Sequence, residues 1–426
     1  MDTLKALGHA YTPRVIDPLV TEALASAGAV LIEGPRGCGK TMTAMNAAAS
    51  YALLDDPDTA DLADISPAFV LEGAQPRLLD EWQLAPQLWN LVRRRVDAAS
   101  AKGLFLLTGS AVPADDLTRH SGAGRMLRIR QRTMTWCEKS SVDQYPDVSL
   151  KGLFDGHTPA ASPNPSMTYQ DVVAALLLPG FPALTPLAPP QAFRMLRAYI
   201  DEVARVDMPR LVDMRHDPVV INRLITAIAR STASEVANST LASDIGDVAP
   251  NISPETVASY VGVLQRLFVV EPQPAWTPAL RSRARLRSSP RLHLADPALA
   301  AAALGATQVG LQNDPKTVGL LFESAVVHDL RVFAGLIDGD VRSYRDSNDY
   351  EIDAVVSLPD GRWGAIEVKL GAGQIPAGME SLNAAVAQID HQVTTPPVFR
   401  LVVTGTGPTF TADDGTITCP LAALRP

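Results

Sequence analysis

The chain has 426 residues, a hydrophobic fraction of 46%, and 37 basic against 46 acidic side chains. That length suffices for two or three separate cores, and the formal charge of -9 excludes a surface coated in basic residues for bulk nucleic-acid or membrane binding, leaving room only for a local basic strip. Lysine is scarce, seven in all, so a given position is Lys by chance about 2% of the time and a Lys in a chemically demanding motif is informative.

Residues 1–140 alternate short apolar runs with helical segments, the pattern of a sheet covered by helices. The first run, Ala29 to Glu33, leads into GPRGCGKT and then the helical stretch 42–54. In a G-x-x-x-x-G-K-T loop the backbone must wrap closely around phosphate oxygens, which requires Gly34 and Gly39. Lys40 then reaches the β and γ phosphates and Thr41 ligates Mg²⁺. Gly34, Pro35, Arg36, Gly37, Cys38, Gly39, Lys40, Thr41 and Met42 form the candidate nucleotide cradle.

A second run, Arg77 to Leu79, ends in Asp80 and Glu81. At such a strand end an acidic residue holds the Mg²⁺ shell and an adjacent Glu orients and deprotonates water; the competing reading is an acidic pair at a helix start. A third strand, Leu104 to Leu107, ends in Thr108-Gly-Ser110, either a polar sensor of the γ phosphate or a simple turn. No Lys is followed two positions later by Asp, so the guanine-reading N/T-K-x-D motif is missing and adenine is the expected base. Arg125 follows a Gly-rich tip, and Arg128, Arg130 and Arg132 alternate along the next strand. Arg125 is either a finger for the transferred phosphoryl, in cis or from a neighbouring subunit, or a structural Arg paired with a nearby carboxylate.

The motifs YTPRVID, GPRGCGKT, LLDEWQ, LLTGSA, HSGAGR and, later, LPGFPAL together resemble prokaryotic AAA-type ATPases fused to a C-terminal domain of unknown function. The resemblance implies ATP binding and hydrolysis with Mg²⁺ and no particular cellular role. Trp82 departs from the pattern, where a β-branched apolar residue is more usual.

From Ser140 to Met167 clustered Pro, Ser, Asp and Gly read as a loop or linker. Helices are expected over Val219–Ser231, Thr240–Gly246 and Pro254–Leu267, the last capped by Ser253, followed by extended strands between Glu271 and Leu294. This order resembles a winged helix. Its hairpin contains Arg281, Arg283, Arg285, Arg287 and Arg291, of which Arg281 to Arg287 share one face of a strand and suit phosphates; alternatively they pair with acidic neighbours.

The text YEIDAVVSLPDGRWGAIEVKLG reads as a hairpin around Asp360, with opposed residue numbers summing to 720. Asp353 then faces Glu367 beside Lys369, while Ile352, Ala354, Val356, Ile366 and Val368 form an apolar face. Glu323, in a preceding helix, packs nearby. The set resembles a PD-(D/E)XK nuclease core, in which Glu323, Asp353, Glu367 and Lys369 would be catalytic and Asp353 and Glu367 would hold Mg²⁺. The alternative is a degenerate fold kept for binding.

Cys38, Cys137 and Cys419 are far apart and odd in number, so no disulfide framework is expected and a reducing cytoplasm fits. The seven His residues show no H-x-x-x-H spacing for zinc. The N-terminus lacks an apolar signal core, and the longest uncharged stretch, 172–193, is broken by five prolines, so no membrane partner is expected. The expected fold class is α/β: a P-loop NTPase parallel sheet over 1–140, a linker and helical lid over 141–217, a winged-helix module over 218–300 and a C-terminal α/β PD-(D/E)XK-like domain over 301–426. The expected function is a Mg²⁺-dependent ATPase acting on or binding DNA or RNA through its C-terminal half, and a homo-oligomer if Arg125 serves a neighbour. The alternative is a nucleotide-controlled switch or DNA-binding regulator with an inactive nuclease-like domain.

Overall fold

In the computed structural model, residues 11–99, 101–112, 123–139, 147–162, 167–211, 217–278 and 289–426 are described. The apolar runs of the first region become β1 (Ala29–Glu33), β3 (Arg77–Asp80), β4 (Phe105–Gly109) and β5 (Met126–Arg130), joined by β2 (Ser50–Leu53) in the order β2-β3-β4-β1-β5. Every pairing is parallel, so Glu33, Asp80 and Gly109 end at one edge. Both faces are covered, as parallel strands require. Val30, Ile32, Leu78 and Leu106 pack against Ile16 and Met45, while Leu31, Leu79 and Leu107 pack against Trp82 and Trp89.

The helix expected over 42–54 is shorter than that. It covers Lys40–Ala47, and Ser50–Leu53 turns extended to pair with β3, Tyr51 beside Leu78 and Leu53 beside Asp80. Alanine-rich composition favours helix locally, but a neighbouring strand with open ladder positions outweighs it. Likewise the stretch 140–167 is not all linker. Val148–Ser149 (β6) pairs in parallel with Leu424–Arg425, and Ser149 caps a short helix, Leu150–Phe154, whose Leu150, Leu153 and Phe154 are buried.

Helices Pro218–Arg230, Asn238–Asp244 and Pro254–Arg266 follow, the last capped by Ser253, whose Oγ accepts from the Thr256 N–H at 3.2 Å. Strands β7 (Val270–Gln273) and β8 (Arg291–Leu294) then pair antiparallel. Arg281, Arg283, Arg285 and Arg287 lie outside the described residues.

The last region is a six-stranded sheet in which β9 (Asp340–Arg345), β10 (Glu351–Ser357) and β11 (Trp363–Lys369) are antiparallel and β12 (Phe399–Thr404) runs parallel to β11. The β10–β11 register matches the expected sum: Ala354 faces Ile366 and Ser357 faces Trp363. One face differs. A bulge between Ile352 and Val355 turns Ile352 away from Ala354 and Val356, so Ile352 packs with Val355, Trp363 and Leu382 beneath the helix Ile375–Ala387. Ala354, Val356, Ile366 and Val368 face the helix Pro315–Gly335, within a core that runs without a break from Trp136 to Leu424. The helices between residues 150 and 208, the three helices between 218 and 266 and the C-terminal sheet therefore share one core. Among the described residues, no helix is long and apolar enough to cross a membrane.

Candidate nucleotide-binding site

Residues 34–41 leave β1 and turn into the helix Lys40–Ala47. Gly34 permits the closest approach: a Cβ there would lie 2.0 Å from the Gln131 carbonyl oxygen. Gly37 and Gly39 take left-handed φ values of 77° and 101°, conformations that L side chains resist. Lys40 is buried and its Nζ donates to the Pro35 carbonyl at 3.0 Å, so the ammonium lies folded within the loop. Cys38 is buried too, its thiol donating to the Gln131 carbonyl at 3.4 Å. Met42 lies in the first turn of the helix, half-buried.

The strand tips converge on this loop. Thr41 Oγ1 donates to Asp80 Oδ2 at 3.2 Å, and Thr108 Oγ1 donates to Asp80 Oδ1 at 2.5 Å. Burial pushes the Asp80 carboxyl up, while the Thr108 and Thr41 hydroxyls draw it back. A buried carboxylate and a hydroxyl side by side are hard oxygen donors that fit Mg²⁺, the ion the motif implies. Glu81 sits in the left-handed region at φ 54°, a strained conformation for a non-glycine residue. Its N–H donates to Thr108 Oγ1 at 3.0 Å, and its Oε2 accepts from Ser110 Oγ at 2.9 Å and from the Gln83 amide. The Thr108-Gly-Ser110 tip therefore orients both acidic residues rather than acting as a bare turn. A cavity of about 800 Å³ opens here, lined among others by Arg36, Glu81, Ser110, Tyr199, Asp207 and Arg210.

Arg125 is not part of this assembly within one chain. Its carbonyl accepts from the Ala29 N–H, at the far end of β1 from Gly34, roughly 16 Å of strand away. Its Nε pairs with Asp97 Oδ1 at 2.5 Å, the structural pairing that competed with the finger reading.

Several contributors carry no motif of their own. Arg14 is buried and donates to the Cys38 carbonyl at 2.8 Å and the Arg132 carbonyl at 3.1 Å, held by Glu138 at 2.8 Å. Gly180 of LPGFPAL is wedged where a Cβ would meet the Met134 carbonyl oxygen at 2.6 Å and Asp296 Oδ2 at 2.7 Å. That contact brings Phe181 and Pro182 over the phosphate loop. A glycine between two prolines was the available signal.

The C-terminal candidates are brought together, but with an unexpected partner. Arg291, expected on the basic hairpin, is 3% exposed and buried among them: its Nη1 lies 2.8 Å from Glu323 Oε1 and 3.8 Å from Asp353 Oδ1, and its Nη2 pairs with Glu351. Asp353 Oδ2 also accepts from the Val368 N–H at 2.8 Å, and Lys369 Nζ donates to Glu367 Oε1 at 2.6 Å. The expected metal pair Asp353 and Glu367 is thus divided between two cations of the chain, because β8 delivers a guanidinium into the acidic cluster. Among the described residues, no group of three or more His, Cys, Asp and Glu side chains is arranged to hold a metal ion.

Four carboxylates against two cations leave an excess. Burial, reinforced by Asp353, pushes Glu323 up to about 8 and Glu367 up to about 7. Glu323 therefore keeps its proton in the folded chain over a range where the unfolded chain has lost it, and stability falls as pH rises from near 4.5 to about 8. The buried His293, held well below its usual range chiefly by burial, works in the opposite direction near its ordinary pKa. A difference measurement removes it: the melting temperature of the unmodified chain should fall relative to that of Glu323→Gln between pH 5 and 8. Parallel curves would reject the proton uptake.

A second cluster ties the regions together. Glu271 of β7 lies 3.0 Å from Arg132, 3.2 Å from Arg331 and 3.6 Å from Arg130. Burial opposes its charge, but the three guanidiniums outweigh burial and hold its carboxyl far below the usual range. Arg128 and Arg130 also pair with Glu33, the residue before the phosphate loop. The arginines of β5 and the segment after it are thus engaged with carboxylates of this chain.

Three family models match: an AAA domain over residues 26–139, a domain of unknown function (DUF8612) over 169–309 and a domain of unknown function (DUF4143) over 318–424. Uncharacterized proteins of Mycobacterium bovis and Mycobacterium tuberculosis are each 24% identical over 375 residues, covering 86% of this chain and 75% of the relative. Among solved structures, a Walker-type ATPase of Pyrococcus abyssi is similar at a TM-score of 0.39 and 13% identity, over 67% of this chain and 94% of its own. The AAA domain match spans β1 to β5 and the phosphate loop.

Proposed function

We propose that this AAA-type domain binds Mg·ATP on residues 34–42 and hydrolyses it, and that the C-terminal half serves as a binding module switched by the nucleotide. The observation that carries the first part is the meeting of Thr41 with Asp80 while Ser110 holds Glu81 at the mouth of the cavity. Lys40 would leave the Pro35 carbonyl for the β and γ phosphates, and Thr41 and Asp80 would hold Mg²⁺. When bound, Mg²⁺ neutralises charge on the β and γ oxygens. Glu81 takes the proton as water attacks the γ phosphorus; the bond to the bridging oxygen breaks, and its electron pair leaves with ADP. Turnover of Mg·ATP by the intact chain, and its loss on substitution of Glu81, tests this part.

For the C-terminal half, one helix, three antiparallel strands, a second helix and a parallel strand support the PD-(D/E)XK-like reading, and three helices followed by an antiparallel strand pair support the winged helix. Arg291 seated between Glu323 and Asp353 favours the inactive alternative over a nuclease. The expected result is that purified protein with Mg²⁺ or Mn²⁺, with or without ATP, leaves DNA and RNA uncut. Cleavage that Asp353→Ala abolishes would overturn the binding-module reading and restore the nuclease. DNA or RNA remains the partner this reading favours, through Arg281, Arg283, Arg285 and Arg287, whose alternation in the sequence suits phosphates.

A further inference from the structure

One wall of the cavity above the phosphate loop is built by residues that no motif assigns. The helix Pro189–Glu202 runs on through a π-helical turn, Val203–Asp207, into a last turn, Met208–Leu211. Such turns widen a helix locally and re-aim the side chains beyond them. Here the turn presents Asp207 to the phosphate loop, where Arg36 Nη1 donates to Asp207 Oδ1 at 3.0 Å. Tyr199, one turn earlier, is hydrogen-bonded to the Arg36 backbone and stacks obliquely on Phe181 with ring centroids 5.2 Å apart.

The cavity that this wall closes is the one that Glu81 and Ser110 face, and among the described residues the guanidiniums lining it are those of Arg36 and Arg210. Arg125, at the other end of the sheet, is not among them. Arg36 sits two residues after Gly34 inside the loop that wraps the phosphates, so its side chain needs no domain movement to reach the outer phosphate.

Resting on the reading that ATP is hydrolysed at this loop, we propose that Arg36 is a catalytic residue that compensates charge on the transferred phosphoryl, and that Asp207 is a positioning residue that holds Arg36 aside until nucleotide binds. The Arg36 side chain is 54% exposed and that of Asp207 15%, so the pair is a half-solvated one that exchanges readily for a stronger contact. A γ phosphate offers more negative charge than one carboxylate and matches the planar fork of a guanidinium. During attack of water on phosphorus, with the proton passing to Glu81 and the bridging oxygen leaving on ADP, Arg36 faces the equatorial oxygens. Asp207 also faces Arg210, Glu202 and Glu81, and its carboxyl is raised, chiefly by burial.

The experiment compares ATP affinity, turnover and melting temperature in the full chain for Arg36→Ala, Arg36→Lys, Asp207→Asn and the charge swap Arg36→Asp with Asp207→Arg. Arg36→Ala should lower kcat by about 10²–10³-fold with ATP Kd within about fivefold, the size of effect expected for one oxyanion donor. Arg36→Lys should recover part of kcat, and Asp207→Asn should tighten ATP binding severalfold by freeing Arg36. The swap should restore the melting temperature and leave kcat low. Turnover of Arg36→Ala within threefold of the unmodified chain, or a swap that restores kcat, would overturn the proposal while leaving the ATPase reading intact. An unmodified chain that neither binds nor hydrolyses ATP would overturn both.

Discussion

Replacing Glu81 by glutamine is expected to lower ATP turnover by about 10²–10⁴-fold while ATP affinity stays within about twofold. Glutamine keeps the volume and the side-chain oxygen that accepts from Ser110 Oγ, and the left-handed backbone at φ 54° costs it no more than it costs glutamate. The Asp80 contacts to Thr41 and Thr108 do not involve the Glu81 carboxylate, so the residues proposed to hold Mg²⁺ are untouched by the substitution. What disappears is the ability to take a proton from water. Phosphate release measured beside binding of a fluorescent ATP analogue separates the two effects. Unchanged release from Glu81→Gln would exclude Glu81 as the base, whatever its place at the cavity.

Lys40→Ala should weaken ATP binding about 100-fold, the worth of a charge-assisted contact to phosphate in a dry loop. Lys40 is 4% exposed and its ammonium has the Pro35 carbonyl as its partner, an arrangement that satisfies one of three donors. Removing it takes a buried charge out of the loop and breaks no ion pair among the described residues, so the melting temperature should change little. Titration calorimetry reads the affinity directly. Unaltered ATP affinity would sink the phosphate-loop reading altogether. Arginine is no substitute, since the loop holds a compact ammonium whose point charge a planar guanidinium fork does not reproduce.

Local chemistry was legible in the residues. The glycine pattern, Lys40 and Thr41 need only a strand before them and a helix after, and the β10–β11 register follows from a turn centred on Asp360. Contacts between distant segments were not. Nothing near Ser50 announces that β3 has a free side, and the bulge that turns Ile352 over depends on pairing with β9. Arg291 shows the limit most clearly: in a run of alternating arginines it looks like surface, yet β8 carries it into a cluster built from Glu323, Glu351 and Asp353, 32 to 62 positions further along the chain. Arg125 lies at the opposite end of the sheet from the phosphate loop within its own chain, and a Gly-rich tip says nothing about which end of a parallel sheet it occupies. Asp207 was invisible because its role depends on a π-helical turn and on a loop 171 residues away.

These contacts also suggest how nucleotide state would reach the C-terminal half. Glu33, adjoining the phosphate loop, shares Arg130 with Glu271 of β7, and β8, the partner strand of β7, carries Arg291. A buried carboxylate held by three guanidiniums is costly to separate, so β7 should follow β5 rather than detach from it.

Hydrolysis of ATP at this site is open to direct measurement. A single-turnover experiment tests it most directly: limiting ATP, excess intact chain, Mg²⁺ present, and bound ATP and released phosphate followed over time. The unmodified chain should convert bound ATP to ADP and phosphate while Glu81→Gln retains it as ATP. ATP that binds the unmodified chain and stays uncleaved, or equal rates from the two proteins, would contradict it.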